Sequence, residues 1–156
     1  MKKNGWAVLN YEIQMYLGAR HLQGFPFVKS PLLNELQTCA LVEVKALHIR
    51  ILVEMFLERK QADDINIDDI FPDWRNKHVI IAHNLENAYK KKLKNGYSSK
   101  TCLNKFLVHP DKRRGDSFNW GPIIEIMDPS LKEVIRTLPK EKLSALQIVL
   151  GKYLDN

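Results

Sequence analysis

The chain is short of cysteine, of glycine-rich loops and of long apolar runs, and each shortage removes a class of protein. Cys39 and Cys102 are the only cysteines in 156 residues. That is too few for a disulfide framework and fits a reducing, cytoplasmic setting. The longest apolar stretch, residues 46–57, is interrupted by His48, Arg50 and Glu54. A membrane span needs about 20 uninterrupted apolar residues, so no membrane partner is expected. Met1-Lys2-Lys3 is followed by Trp6 and a polar-spotted segment, without the apolar core of a secretory signal. No glycine-rich phosphate loop is present, which argues against a P-loop or Rossmann protein. No cysteine pair, His-Glu helix motif or carboxylate cluster has ligand spacing; His78 and His83, five apart, point about 140° away from each other on a helix. Neither a metal nor a cofactor is expected.

What remains is 45% hydrophobic and 27% charged, enough apolar material for one core, read here as a single helical domain over residues 1–156. Residues 8–22 carry apolar side chains at helical spacing. Ser30-Pro31 opens a second helix that continues without a breaker to about Lys60. Leu36, Val44, Leu47, Ile49, Ile51, Leu52, Met55 and Phe56 point around its whole circumference, so it is predicted to be central. An acidic connector, 61–73, lacks the Gly and terminal Glu of a calcium loop, and its Asp residues are expected to cap a helix over 72–94 that stops at Asn95-Gly96. Ser98 or Ser99 starts a shorter helix that Pro110 ends. After a polar loop, 111–119, come a short piece at 122–127 and two short helices, 129–138 and 139–154, each opened by a proline. No segment alternates as a strand would. The expected fold is all-α, a bundle of four or more helices with short C-terminal additions that complete the core.

The charge is local. Net charge is +6, yet residues 90–114 hold Lys90, Lys91, Lys92, Lys94, Lys100, Lys105, Lys112, Arg113 and Arg114 against Asp111 only, leaving the rest of the chain at −2. Such a patch attracts polyanions, because phosphate contacts release counterions. The bland reading is a helix C-terminus complemented by lysines that also keep the surface solvated. Within the patch, Asn104-Lys105-Phe106-Leu107-Val108-His109 puts a histidine at a helix end with a lysine four residues upstream on the same face. An imidazole can move protons near neutral pH while Lys105, Arg113 or Arg114 holds a phosphate, which is the equipment of metal-free RNA cleavage. The bland reading of His109 is a ring interacting with the helix dipole.

On the central helix, Glu43, Arg50 and Glu54 fall within an arc of about 40°. An internal Arg50–Glu54 or Arg50–Glu43 ion pair is the structural reading, and a polar site in the bundle is the functional one. His48 lies on another side, facing solvent or a neighbouring carbonyl. Both cysteines read as core residues.

Two of these pieces together resemble a known group. The segment Leu47–Leu57 (LHIRILVEMFL) is similar to a His-x-Arg-x-Leu segment of a group of bacterial helical proteins. There an acidic connector and a later Asn-Lys-containing segment ending in His follow; Asp63–Trp74 and Leu103–His109 (LNKFLVH) hold those places here. That group in turn resembles HEPN domains, helical bundles whose active members carry Arg, four to six residues, then His. The likeness covers roughly residues 35–120. It implies metal-independent RNase chemistry in a homodimer, with His109 as acid/base, Lys105 and Asn104 as phosphate or 2′-hydroxyl contacts, and Arg50, Glu54 and His48 in support. The chain departs from the active pattern where Asn104 stands five residues before His109; Lys105, the nearest cation, lacks the fork of an arginine. Arg75 and His83 imitate the motif with seven residues between them. An unbroken helix sets them about 80° and about 12 Å apart, so they are not expected to cooperate within one chain.

The leading expectation is thus a HEPN-like bundle binding RNA through Lys90, Lys91, Lys92, Lys94, Lys100, Arg113 and Arg114. The alternative is a non-catalytic helical interaction or oligomerisation module, and a third reading is a sensor with a small-molecule pocket between helices.

Overall fold

The computed structural model describes residues 4–22, 30–57, 64–94, 96–108 and 120–142. Among them lie seven α-helices: α1 (Gly5–Leu22), α2 (Pro31–Leu57), α3 (Ile67–Ile70), α4 (Trp74–Lys77), α5 (Val79–Lys90), α6 (Ser99–Val108) and α7 (Gly121–Arg136), followed by a 3-10 turn, Lys140–Lys142. The described residues form no strand, and the architecture is the all-α bundle expected.

Local chemistry starts these helices where the sequence says it should. Asn4 precedes α1 and accepts the N–H of its third residue, Ala7, through both its carbonyl and its side chain. Ser30 receives the Asn34 amide ahead of Pro31, and Ser98 Oγ accepts from Thr101 N–H at 3.1 Å to open α6. The acidic connector behaves differently from expectation. Asn66, not an aspartate, is its cap: the Asn66 side chain accepts from Asp68 N–H at 3.2 Å, and the Asp69 carboxylate accepts from Asn66 N–H at 3.0 Å. The two reciprocal bonds form a capping box around the single turn of α3. Asp73, at the start of α4, caps nothing with its side chain and sits in the left-handed region at φ 62.

The second half of α2 is the hub. Lys45, Ala46, His48, Ile49, Leu52, Val53, Met55 and Phe56 are buried there. They pack against α1, α5, α6 and α7. The α1 stripe Leu9, Ile13, Tyr16 and Leu17 closes one side, and the α7 stripe Ile123, Met127, Leu131, Val134 and Ile135 closes another. The first half of α2 does not fit the central role predicted for the whole helix. Leu32, Leu33 and Leu36 are 75%, 46% and 65% exposed, Leu47 is exposed too, and Cys39 lies on the surface while Cys102 is in the core. An apolar circumference shows only that burial would be favourable; it does not supply neighbours.

Two further boundaries differ. The helix expected over 72–94 is divided by His78 (φ −123, ψ 40) into α4 and α5, with the His78 ring 5.2 Å from that of Trp74, and it ends at Lys90. Pro129 does not begin a helix; it lies inside α7. Proline removes an amide and costs about 3 kcal/mol in a helix interior. The buried stripe runs past it on both sides, and the apolar area of those five side chains outweighs that loss. Of the helix expected over 139–154, the described residues show only the 3-10 turn Lys140–Lys142, and residues 143–154 lie outside them.

Candidate functional site

Two clusters of charged side chains stand out, one closed and one open. The closed cluster joins α1, α2 and α7. Lys45 Nζ donates to Asp128 Oδ2 at 2.9 Å, Tyr16 Oη donates to Asp128 Oδ1 at 2.7 Å, and Lys45 also lies over the Tyr16 ring. Beside them His48 Nδ1 faces Glu12 Oε2 at 2.6 Å, a separation that requires a proton between the two atoms. His48 therefore faces neither solvent nor a carbonyl, as expected from sequence, but a buried carboxylate on α1. Lys45 is only 2% exposed, and Glu12 and His48 are buried. On α2 itself Arg50 Nε donates to Glu54 Oε1 at 3.2 Å, the internal pair that the sequence predicts.

The open cluster begins at Arg75. Its backbone amide donates to Asp68 Oδ1 at 3.2 Å, and its Nε sits 3.4 Å from Asp68 Oδ2. The same Nε donates to the Phe56 carbonyl at 3.0 Å, one of the last carbonyls of α2 and so without a partner inside that helix. Arg75 thus ties α2, α3 and α4 together. Its Nη2, shielded from solvent, makes no hydrogen bond, an unanswered donor that costs about 1–3 kcal/mol. Arg75 lines a cleft of about 340 Å³ together with Leu57, Val79, Ala82, His83, Glu86, Tyr89 and Lys90. Arg75 and His83, which the sequence does not lead one to expect to cooperate, line the same cleft. Arg75 stands on α4 and His83, with positions 79, 82, 86 and 90, on one face of α5, with the break at His78 between them. A long arginine and an imidazole can border the same space without touching.

Glu86 and Lys90, one turn apart, are paired. The Lys90 hydrogen bond and charge hold the Glu86 carboxyl below its ordinary range; burial opposes this slightly, and His83 and Lys100 add to it. Lys100, a residue of α6, lies over the ring of Tyr89, which lines the cleft, so the cleft adjoins the lysine-rich corner.

That corner is built by the turn between α5 and α6. Ser99 N–H donates to the Lys91 carbonyl at 3.0 Å, Leu93 N–H to the Tyr97 carbonyl at 2.8 Å, and Lys92 and Ser98 form an isolated bridge. Gly96 takes φ +83, a conformation glycine adopts without strain. Lys90, Lys91, Lys92 and Lys94 are exposed. Lys100 lies 5.6 Å over the Tyr89 ring and Lys105 5.8 Å over the Tyr97 ring. Asn104, next to Lys105, has its Oδ1 shielded and without a hydrogen bond. His109, Arg113 and Arg114 lie outside the described residues. Arg50, Glu54 and His48 belong to the pairs above, on α2.

Among the described residues no group of three His, Cys, Asp or Glu side chains could hold a metal ion, and no helix is long and apolar enough to cross a membrane. The chain matches no family model, no curated protein and no solved structure.

Proposed function

We propose that the chain is a HEPN-like helical protein that binds RNA through the α5–α6 corner. One observation carries this reading: residues 90–105 contain six lysines and no carboxylate, and a tight turn gathers them at the junction of two helices. Each lysine that neutralises a phosphate releases counterions, an affinity term that needs no particular base sequence. Tyr89 and Tyr97, under Lys100 and Lys105, hold two of the cations in place, which lowers the entropy lost when a strand is bound. The test is fluorescence anisotropy with an unstructured RNA at rising salt. Affinity should fall with a log–log slope of about −0.7 for each phosphate neutralised. Absence of binding at low salt would overturn the reading. Metal-free cleavage lost in His109→Ala, with folding retained, would extend the function from binding to RNase catalysis.

A second reading has one feature in its favour. Leu32, Leu33 and Leu36 form an exposed apolar row on the first half of α2, as expected of an interaction or oligomerisation module. Sedimentation of the full chain decides it: a monomer that becomes no larger at high concentration excludes self-association.

A further inference from the structure

We infer that the Arg75–His83 cleft is a phosphate site that receives one nucleotide of the bound strand, an inference that rests on the RNA reading. The donor chemistry comes first. A guanidinium has five N–H donors and no acceptor, so every unused nitrogen calls for an acceptor and none for a donor. Asp68 and the Phe56 carbonyl occupy Nε, and Nη2 is left without a bond. Those two contacts fix the stem of Arg75, and its side chain remains 35% exposed. The guanidinium is planar, so bringing Nη2 to the opening also loosens the Nε contacts, and charge-assisted bonds to an anion in the cleft offset that loss.

Size and lining narrow the ligand. A space of about 340 Å³ lies at the small end of ligand pockets, about 300–1,000 Å³, and suits one nucleotide, not a duplex. Leu57, Val79 and Ala82 form the apolar wall for a base or sugar, while Arg75, His83 and Lys90 supply the donors. Among the described residues Glu86 is the one carboxylate in the lining, and it is paired with Lys90. Phosphate is favoured over an isolated carboxylate by continuity: Lys90 borders the cleft and also begins the run of six lysines. A strand tracked by those lysines is led past Lys90 toward Arg75.

The experiment has two arms on the full chain. In the first, uridine 5′-monophosphate is titrated while the imidazole resonances are followed by NMR. A saturable shift of His83, with uridine lacking phosphate leaving it unmoved, is the expected result. No His83 shift at millimolar nucleotide overturns the inference. In the second arm, an unstructured ten-nucleotide RNA is bound by wild type, by His83→Glu, and by the combined Lys91→Glu, Lys92→Glu and Lys94→Glu variant. His83 is exposed, so its replacement keeps the fold. It should weaken RNA about tenfold, the scale of one charge-assisted bond. If the lysine variant abolishes binding while His83→Glu changes nothing, the cleft inference fails and the RNA reading stands. If wild type binds no RNA at low salt, the RNA reading fails; the nucleotide arm then separately decides the cleft.

Discussion

At the α1–α2–α7 crossing, Lys45, Asp128 and Tyr16 answer one another, and His48 answers Glu12, all largely shielded from solvent. At the α2–α4–α5 cleft, Arg75 answers Asp68 and a helix-end carbonyl but keeps one nitrogen without a bond, beside an opening lined by His83 and Lys90. The same residue chemistry serves opposite ends. A buried charge with all its partners in place fixes how three helices meet and has nothing to offer a ligand. A cation partly held by the fold and partly open is stable enough to be positioned and still able to bind.

The contrast can be broken most forcefully on the closed side. Asp128→Ala leaves the Lys45 ammonium, 2% exposed, without its carboxylate and should cost about 3–5 kcal/mol in denaturant unfolding. Replacing both partners, Lys45→Met with Asp128→Leu, should recover most of that loss, because an apolar pair needs no desolvation. If the double variant is no better than the single one, the cluster has a role besides register. Next in size is the corner. Reversing Lys91, Lys92 and Lys94 should weaken RNA by about two orders of magnitude at low salt and flatten the salt slope by about 2. It should leave thermal unfolding nearly unchanged, since all three side chains are exposed.

Arg75→Ala is smaller and separates the two aspects of the open cluster. Losing the bonds to Asp68 and the Phe56 carbonyl should cost about 1–2 kcal/mol, whereas His83→Glu should stay within about 0.5 kcal/mol of wild type. Equal destabilisation by both would mean that the cleft is part of the core. The smallest effect concerns pH. The Glu86 carboxyl is held below the ordinary carboxylate range, first by its hydrogen bond to Lys90. A lowered carboxylate pKa means stability present above the unfolded value and lost as pH falls through the folded one. The Glu86→Gln variant should therefore lose less stability than wild type between about pH 5 and the lowered value. For an exposed i, i+4 pair the difference is about 0.3–0.5 kcal/mol.

The sequence foretold much of this fold and less of its charge network. Apolar periodicity and caps located α1, the start of α2 and α6, because those signals act over a few residues. Pro129 misled for the same reason: a local helix-breaking rule was set against a buried stripe, Ile123, Met127, Leu131, Val134 and Ile135, whose spacing already ran through it. The exposed half of α2 shows the limit of composition, since what covers an apolar face depends on the path of the rest of the chain. Partners 36 and 83 residues apart, Glu12 with His48 and Lys45 with Asp128, were out of reach of spacing rules. Their presence still left a trace. Glu12 lies one turn from Leu9 and Tyr16, and Lys45 one turn from Ile49, so each charge occupies a core-facing position that demands a partner. Arg75 and His83 were visible as a pair. The angle between them on an unbroken helix did not apply, because His78 divides the segment into α4 and α5.

The corner and the cleft make one account, in which exposed lysines gather a strand and Arg75 receives one of its phosphates. Its most direct test is the salt dependence of RNA affinity for wild type beside the Lys91, Lys92 and Lys94 charge-reversal variant. The account predicts a wild-type slope of about −3 to −4, corresponding to roughly five neutralised phosphates, and a clearly shallower slope in the variant. A wild-type protein that ignores RNA at low salt, or a variant whose slope matches wild type, would contradict it.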